Sequence, residues 1–391
     1  MPLTAEALAR RFRYPVDVVE HLALLYSLEG VRSILGAVAA PGPYYYVRVN
    51  VLKMSPRDAV NVLRSEGFPA SQHPVIREAI RFPVHGVYEV FTIGRRVVVD
   101  KHAAESIYMG ADLYAPGIPK PERMERGELV TMVSPEGVPV ANGIAYMSHK
   151  EIIEKWRGLA VWNIRSPYRV VSLRNHRFFT EGIIYHQSLP SMAAMHVLSP
   201  RPGETVLDMC AAPGGKATHA AEMMRDAGEV IAVDRTEKKV EKIRWHASRL
   251  GLRSVKTVVH DSRYVSEVVG RESVDKVILD PPCSALGVRP KLSYNRSLRD
   301  IKMLSEYQRQ FMREAAKVLR PGGLLLYTTC TLTLEENELN VIYAASELGL
   351  TPVPVSLALG SAAFLGVPGI RFEPDVHGTP GFFIALLKKR G

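Results

Sequence analysis

Cysteine is scarce in this chain: its 391 residues include only Cys210, Cys283 and Cys330. Because their number is odd and they lie far apart, a disulfide framework is not expected. No Cys-x-x-Cys pair occurs, which argues against a structural zinc site, and we expect no metal. Free thiols fit a reducing compartment, so the sequence predicts a cytoplasmic protein.

Long apolar runs are absent as well. Although 47% of the residues are hydrophobic, no segment approaches the roughly 20 uninterrupted apolar residues that a membrane-spanning helix needs. Residues 1–13 lack the apolar stretch and cleavage site of a secretion signal. The composition therefore predicts a globular protein of about two or three domains that is neither secreted nor embedded in a membrane.

Acidic residues are outnumbered by basic ones, 40 against 50. A solvated basic surface would explain this excess without any partner. A polyanionic partner would explain it too, because neutralising phosphates supplies most of the non-specific affinity of proteins for nucleic acids. Charge alone leaves both interpretations open.

The first part of the chain, residues 1–92, is predicted to be a small α+β subdomain. Leucines and valines recur at helical spacing before Pro41, which ends the pattern. A stretch rich in aromatic and β-branched residues follows, and Ser55-Pro56 is typical of a helix start. The expected elements are helix over residues 3–39, a strand at 44–52, a helix at 56–66 and a short strand at 80–82.

The second part, residues 93–168, has short β-branched runs separated by glycine and proline turns. This pattern is typical of a compact β-barrel. The expected elements are strands at 96–100, 129–133 and 138–145, and a short helix at 103–109.

Strands and helices alternate through the third part, residues 169–391. Short apolar strands separated by helices indicate an α/β fold with a doubly wound sheet covered on both faces. The expected strands lie at 205–207, 230–233, 255–259, 276–279 and 324–327, and the clearest helices at 237–250 and 301–319.

A glycine-containing loop follows the first of these strands, from Asp208 to Thr218. Small residues and two adjacent glycines allow a ligand to approach the backbone closely at the carboxyl edge of the sheet. A phosphate-binding P-loop is the alternative, but the G-x-x-x-x-G-K-[ST] spacing is absent. A glycine-rich turn alone remains weak support for a ligand, since many α/β proteins have one for packing.

Aspartates follow three successive strands: Asp234, Asp261 and Asp280. Each could be a helix cap or a surface acid, but acids at several strand ends on one edge favour a ligand that contains a nucleoside. A nicotinamide cofactor is less favoured, because no G-x-G-x-x-G turn follows the first strand.

Cys283, in Asp280-Pro281-Pro282-Cys283, and Cys330, in Thr329-Cys330, each lie just beyond a strand. Small buried apolar side chains are the usual role of free cysteines. Their position at the ligand-binding edge favours chemistry instead. Carbon 5 of cytosine is a poor nucleophile until a thiolate adds to carbon 6, and cysteine is suited to that covalent step. An acid beside the ring could stabilise the resulting enamine.

These motifs together resemble the Nop/Sun family of RNA 5-methylcytosine methyltransferases. The resemblance runs from about Phe179 to the end, and residues 45–82 resemble the N-terminal RNA-binding subdomain of that family. It implies the fold of a class I S-adenosylmethionine (SAM)-dependent methyltransferase over residues 169–391. The paired cysteines distinguish the chain from DNA cytosine methyltransferases, which attack from a single Pro-Cys site.

The resemblance also implies a role for each motif residue. SAM would be the cofactor, with its ribose held by Asp234 and its adenine by Asp261. Cys330 would be the nucleophile, Cys283 would assist product release, Asp280 would lie between cofactor and cytosine, and Lys216 would lie near the target base. The methionine part of SAM would contact the loop residues Cys210, Ala211, Ala212, Pro213, Gly214, Gly215 and Lys216. One departure from the family pattern is Ser188, which follows Gln187 where the family usually has an acid.

The middle part resembles a PUA domain, a small RNA-binding barrel, in segments such as 97–100, 110–113, 115–118, 127–130 and 142–143. A PUA barrel inserted before the catalytic domain resembles the branch of the family that methylates cytidine 72 of tRNA. It implies an enzyme that binds the acceptor stem and the CCA end, and we expect a monomer. Aromatic and basic side chains could contact that RNA or serve only as surface charge: Arg95, Arg96, Lys101, Tyr108 and Lys120.

Three alternatives stay open on the sequence. The same chemistry could act on rRNA or on another tRNA position. A methyltransferase for an exocyclic base nitrogen would carry an aromatic residue in place of Cys283. A non-catalytic RNA-binding factor would have lost the cofactor residues, and no such loss is seen at Asp234 or Asp261.

Overall fold

The computed structural model describes residues 3–391. The chain starts with helices α1 (Ala5–Phe12) and α2 (Val16–Val38), where the sequence predicted continuous helix. Arg13 ends α1 in the left-handed conformation, with φ +60°, and Pro15 then supplies an extended residue ahead of α2. Inside α2 the backbone is again non-helical at Ser27, with φ +61°.

A small antiparallel sheet follows these helices. Its elements are β1 (Tyr44–Val49), α3 (Pro56–Ser65), β2 (Ser71–Gln72) and β3 (Ala79–Pro83), followed by the two-residue strand β4 (His85–Gly86). The predicted strand at 44–52 ends early because the chain turns, with the amide of Lys53 donating to the carbonyl of Asn50 at 3.0 Å. Helix α3 starts as predicted, since the Ser55 side chain accepts from the Asp58 amide.

The middle of the chain forms a separate five-stranded sheet with its own buried core. Strand order is β5-β7-β8-β9-β6, and only the β5–β7 pair is parallel. Helix α4 starts before the predicted helix at 103–109, because the side chain of Asp100 caps it. The elements are β5 (Arg95–Val98), α4 (Lys101–Ile107), β6 (Leu113–Tyr114), β7 (Leu129–Val133), β8 (Pro139–Ala145), α5 (His149–Lys155) and β9 (Leu159–Arg165).

The chain then returns to the N-terminal sheet. Strand β10 (Tyr168–Arg169) pairs with β4, helix α6 (Arg177–Thr180) follows, and strand β11 (Ile184–His186) pairs with β1. The completed four-stranded sheet has the order β11-β1-β3-β2. The edge strand β11 thus follows the five-stranded sheet in the sequence. The five-stranded sheet is an insertion between β3 and β11.

The remaining chain builds the largest sheet, of nine strands. The order is β14-β13-β12-β15-β16-β20-β19-β18, with β17 also paired to β20. Its elements are α7 (Leu189–Leu198), β12 (Thr205–Asp208), α8 (Gly215–Met223), β13 (Glu229–Asp234), α9 (Glu237–Leu250), β14 (Val255–Val259), α10 (Ser266–Val269), β15 (Val274–Leu279), α11 (Leu298–Val318), β16 (Leu319–Thr329), α12 (Glu338–Glu347), β17 (Leu350–Val353), β18 (Ser361–Ala362), β19 (Gly369–Phe372), α13 (Pro374–His377) and β20 (Phe382–Lys389).

The predicted doubly wound sheet is confirmed. Strands β12 to β16 are parallel neighbours, and alternate residues supply two cores. Val206 packs in one buried cluster and its neighbour Leu207 in the other. The antiparallel strand β20 was not predicted. Its first six residues are all buried, so it shows no polar alternation to mark it as a strand.

None of the helices within residues 3–391 is long and apolar enough to cross a membrane.

Candidate active site

The loop between β12 and α8 is shaped by two glycines. Gly214 has φ +112°, in the left-handed region that favours glycine. A Cβ on Gly215 would lie only 3.2 Å from the ring of Tyr185. The loop can therefore fold tightly over the carboxyl end of β12 with its backbone close to the neighbouring cavity.

Asp234 and Asp261 lie beside this loop, and each forms an ion pair with a basic side chain of the protein. The carboxylate of Asp234 accepts from the amide of Ala212 at 3.2 Å and from Lys239 Nζ at 2.9 Å. Asp261 accepts from the guanidinium of Arg263, the shortest contact being 2.6 Å, and this arginine lowers the pKa of the Asp261 carboxyl. Both acids therefore face basic side chains, and a ligand would have to share these carboxylates with them.

One cavity of about 680 Å³ brings the predicted residues together. A second, of about 210 Å³, lies across the loop and is lined by Asp208, Lys216 and Gln187. The two cavities share Cys210, Ala212 and Asp280. The residues of the larger cavity that the sequence singled out are Cys210, Ala212, Asp234, Asp261, Asp280, Cys283 and Cys330.

The two cysteines of this edge are in direct contact, with 3.2 Å between Cys283 Sγ and Cys330 Sγ. Their backbones are held too: the carbonyl of Cys330 accepts from the Gly287 amide at 3.0 Å, and that of Cys283 from the Arg296 guanidinium at 3.1 Å. The hydrogen bond between the thiols, together with burial, raises the pKa of Cys283. Cys283 therefore retains its proton and can donate it toward the Cys330 sulfur.

Asp280 and Lys216 form an ion pair beside the thiols, with 2.5 Å between Asp280 Oδ2 and Lys216 Nζ. The other carboxylate oxygen accepts from the Thr328 hydroxyl at 2.9 Å. Burial lowers the pKa of Lys216, but the charge and hydrogen bond of Asp280 outweigh it and raise the pKa overall. The lysine is therefore a fixed positive charge in the wall of the smaller cavity, paired with an aspartate that lines both cavities.

Asp208, the last residue of β12, is almost fully buried. Neither of its oxygens has a side-chain hydrogen-bond partner within residues 3–391. Burial raises the pKa of this carboxyl from 3.8 to about 7, and Lys216 offsets only part of the effect. It is an unpartnered polar group behind the loop, in the wall of the smaller cavity.

The sequence interpretation missed the side chains that connect the N-terminal sheet to helix α8. Arg48, on β1, donates to Glu222 of α8, to the carbonyl of Gly215 at 2.8 Å and to Gln187. Gln187 also donates to Ser191 at 3.0 Å, so it has partners without the acid that the family usually carries at position 188. A single arginine in a strand gives no signal of such a role.

Glu78 is a second missed contact. Its Oε1 lies 2.6 Å from His196 Nε2 on α7 and 3.1 Å from His219 Nε2 on α8. These are hydrogen-bond distances, and burial lowers the pKa of His219 to about 4, which keeps that ring neutral. The N-terminal sheet thus also contacts α8 here.

Comparison with known proteins identifies the family of this chain. A family model described as 16S rRNA methyltransferase RsmB/F matches residues 195–388, and a PUA model matches residues 95–166. A Pyrococcus horikoshii protein named tRNA (cytosine(72)-C(5))-methyltransferase is 39% identical over 386 residues, which is 96% of this chain and 97% of that protein. The chain belongs to the Nop/Sun family of RNA cytosine-C5 methyltransferases.

Further relatives agree with this assignment. The human protein named tRNA (cytosine(72)-C(5))-methyltransferase NSUN6 is 33% identical over 350 residues, covering 81% of this chain and 75% of that protein. The crystal structure of NSun6 from Pyrococcus horikoshii with SFG, a SAM analogue, superposes with a TM-score of 0.90 at 38% identity. It covers 97% of this chain and 99% of that one. The predicted methyltransferase fold with a PUA domain is confirmed.

As a Nop/Sun enzyme, the protein transfers a methyl group from SAM to carbon 5 of cytosine in RNA. Its residues fit that cofactor. Carboxylates of Asp234, Asp261 and Asp280 line the cavity next to the thiols, which suits a ligand with ribose hydroxyls and a cationic sulfonium. The glycines of the loop keep its backbone open on the same side.

Proposed function

We propose that this enzyme methylates carbon 5 of cytidine 72 in the acceptor stem of tRNA, with its PUA domain holding the CCA end. The assignment of this substrate rests on the PUA domain at residues 95–166, which is inserted ahead of the catalytic domain. The Pyrococcus and human relatives named for this reaction support it over most of their lengths. Arg96, Lys101 and Lys120 remain candidates for contact with RNA phosphates.

Cys330 is the proposed nucleophile. Its sulfur adds to carbon 6 of the target cytosine, and the electrons of the 5,6 double bond make carbon 5 nucleophilic. Cys283 suits the role of partner, since its raised pKa keeps a proton on that thiol. A hydrogen bond from Cys283 stabilises negative charge on the Cys330 sulfur before attack and again when the sulfur leaves.

Asp280 and Lys216 are proposed to act on the cytosine ring. The Asp280 carboxylate is fixed by Lys216 and Thr328, so it is oriented before the base arrives. From the shared wall of the two cavities it can hydrogen-bond the N3/N4 edge of the ring and stabilise the enamine. The target base must leave its stack to reach this position.

SAM, when bound, supplies an electrophilic methyl group. We assign its ribose to Asp234, its adenine to Asp261 and its methionine part to the loop from Cys210 to Lys216. After transfer a base takes the proton from carbon 5, the bond between carbon 6 and the Cys330 sulfur breaks, and Cys283 assists that release. All of these side chains come from one chain, which supports a monomeric enzyme. The free cysteines favour a cytoplasmic location, and none of the assigned roles requires a metal.

The cysteine roles are tested by trapping the covalent step. Cys283→Ala should accumulate an RNA adduct that survives denaturing gel electrophoresis, because addition proceeds but release is impaired. Cys330→Ala should give neither adduct nor product, while the wild-type enzyme should release its product and accumulate little adduct. Full activity of Cys330→Ala would overturn the mechanism.

The substrate position is tested by mass spectrometry of RNA treated with the wild-type enzyme. The expected 5-methylcytosine maps to position 72 of tRNA and disappears when that position is changed to uridine. Equal methylation of 16S rRNA, or of another tRNA position, would overturn the assignment to cytidine 72 and leave the cysteine chemistry standing.

A further inference from the structure

The segment that follows Cys283 connects the catalytic edge to the PUA domain. Residues 284–296 run from Cys283 to the start of α11 without a helix or strand. We call them the strap. A segment without regular structure is positioned by its side-chain and loop contacts, so those contacts determine where Cys283 lies.

Two strap residues are held by the PUA domain. Leu292 is 9% exposed and belongs to the buried core of the five-stranded sheet. The hydroxyl of Ser293 donates to Glu136 Oε1 at 2.6 Å, and Glu136 lies in the turn between β7 and β8. Its other oxygen accepts from the Ser134 hydroxyl at 2.9 Å, so the acceptor is itself fixed.

The strap also contacts the backbones of both cysteines, through Gly287 and Arg296. At its beginning the amide of Ser284 donates to Glu336 at 2.8 Å, and the amide of Gly287 donates to the Cys330 carbonyl at 3.0 Å. At its end Arg296 returns to the carbonyl of Cys283, at 3.1 Å. The strap therefore joins the PUA domain to the backbones of both cysteines.

We propose that Leu292, Ser293 and Glu136 are positioning residues for methyl transfer, so that the PUA domain supports the chemical step as well as RNA binding. This inference rests on the proposed roles of Cys283 and Cys330. The contacts lie within one chain and are present without RNA. The PUA domain therefore orders the thiol pair before the substrate arrives, and losing its contacts lowers turnover rather than affinity.

The test separates kcat from KM on the RNA that the wild-type enzyme methylates. Ser293→Ala and Glu136→Ala each remove the same hydrogen bond, and each should lower kcat about tenfold with KM for RNA and SAM within about twofold. Glu136→Gln keeps an acceptor oxygen and should restore most of kcat. The double variant Ser293→Ala/Glu136→Ala should be no worse than Glu136→Ala alone, because that single change already removes the hydrogen bond to Ser293.

Ser106→Ala is the matched control, since the exposed Ser106 on α4 bonds only within its own helix, to the carbonyl of His102. Circular dichroism and thermal melting confirm that each variant is folded. A second readout is the rate at which iodoacetamide alkylates Cys330 in the RNA-free enzyme, which should change severalfold in Ser293→Ala and stay unchanged in Ser106→Ala.

Unchanged kcat and alkylation in folded Ser293→Ala, or a raised KM for RNA at unchanged kcat, would overturn the inference. Failure of the proposed function would give a different experimental result. In that case Cys330→Ala would remain active, whatever the strap variants do.

Discussion

Arg48 of β1 and Glu222 of α8 form a buried ion pair in which both carboxylate oxygens accept from the guanidinium, at 2.9 and 2.8 Å. Both side chains are almost fully buried. Arg48 also donates to the carbonyl of Gly215 and, at 3.0 Å, to the hydroxyl of Thr218. The N-terminal sheet is thereby fastened to the helix that carries Lys216.

Removing one partner of this pair should strongly destabilise the fold. Arg48→Met leaves the Glu222 carboxylate buried without its cation, and we expect a loss of about 3–5 kcal/mol in the free energy of unfolding. The double variant Arg48→Met/Glu222→Leu should recover part of the loss, because no buried charge remains. Urea denaturation measures both values.

The exposed pair of Arg32 and Glu29 is the control for this comparison. Arg32→Met should cost less than about 1 kcal/mol, since exposed ion pairs contribute little. Equal losses for Arg48→Met and Arg32→Met would show that the buried pair does not hold the two parts together.

Lys216→Met should impair catalysis more than stability. Without the ammonium, Asp280 loses its 2.5 Å partner and its fixed orientation toward the base. We expect kcat to fall about 10²- to 10³-fold, as for the loss of a preorganised electrostatic group. Steady-state kinetics at saturating SAM and RNA measure the change.

Lys276→Met is the matched control, because Lys276, on β15, is also buried and also forms an ion pair, with Glu204 just before β12. It should lose stability and keep kcat within about twofold. A loss of kcat as large as that of Lys216→Met would argue that removing any buried lysine of this domain produces the effect.

Asp234→Asn should weaken cofactor binding. The carboxylate lines the cavity proposed to hold SAM, where two charge-assisted hydrogen bonds to ribose hydroxyls would be reduced to neutral ones. We expect Kd for SAM to rise about tenfold or more, measured by calorimetry, while kcat at saturating SAM changes little. Asp275→Asn, on β15 but paired with Arg320 away from the cavity, should leave Kd unchanged. A Kd unaffected by Asp234→Asn would remove this residue from the cofactor site.

Periodic elements could be predicted from sequence with accurate bounds. Helix α9 runs from Glu237 to Leu250, as the pattern predicted, because Val240, Ile243, Ala247 and Leu250 form its buried face. Gly251 then ends it with φ +79°. The clustering of Asp280 with Cys283 and Cys330 was also predictable in kind, since parallel strands end at one edge of the sheet.

Long-range polar contacts could not be predicted in this way. Arg48 and Glu222 are 174 positions apart, and no periodic pattern marks either residue as the partner of the other. Ser293 and Glu136 are similar, 157 positions apart in a loop and a turn. The residue types at such sites are common on surfaces, so their pairing emerges only when the chain folds.

The buried Asp208 predicts a pH dependence of stability with a defined sign. Its pKa is raised from 3.8 to about 7 by burial, so between these values the folded protein holds a proton that the unfolded chain has released. The free energy of unfolding should therefore fall as pH rises through this window and level off above it. With about 1.4 kcal/mol per pKa unit, the contribution is at most about 4 kcal/mol.

Asp208→Asn carries no titrating proton and should lose this slope. Urea denaturation without cofactor gives the free energy of unfolding of the variant and of the wild type at each pH. The difference, variant minus wild type, should be a few kcal/mol larger at pH 8 than at pH 5. Asp226→Asn is the control: hydrogen bonds from Ser254 and Arg253 outweigh burial and lower the pKa of Asp226, so this acid is ionised at both pH values. The Asp226→Asn substitution should change the free energy of unfolding by the same amount at pH 5 and at pH 8. If Asp208→Asn also differs from the wild type equally at pH 5 and pH 8, Asp208 does not titrate in this range, and the raised pKa is wrong.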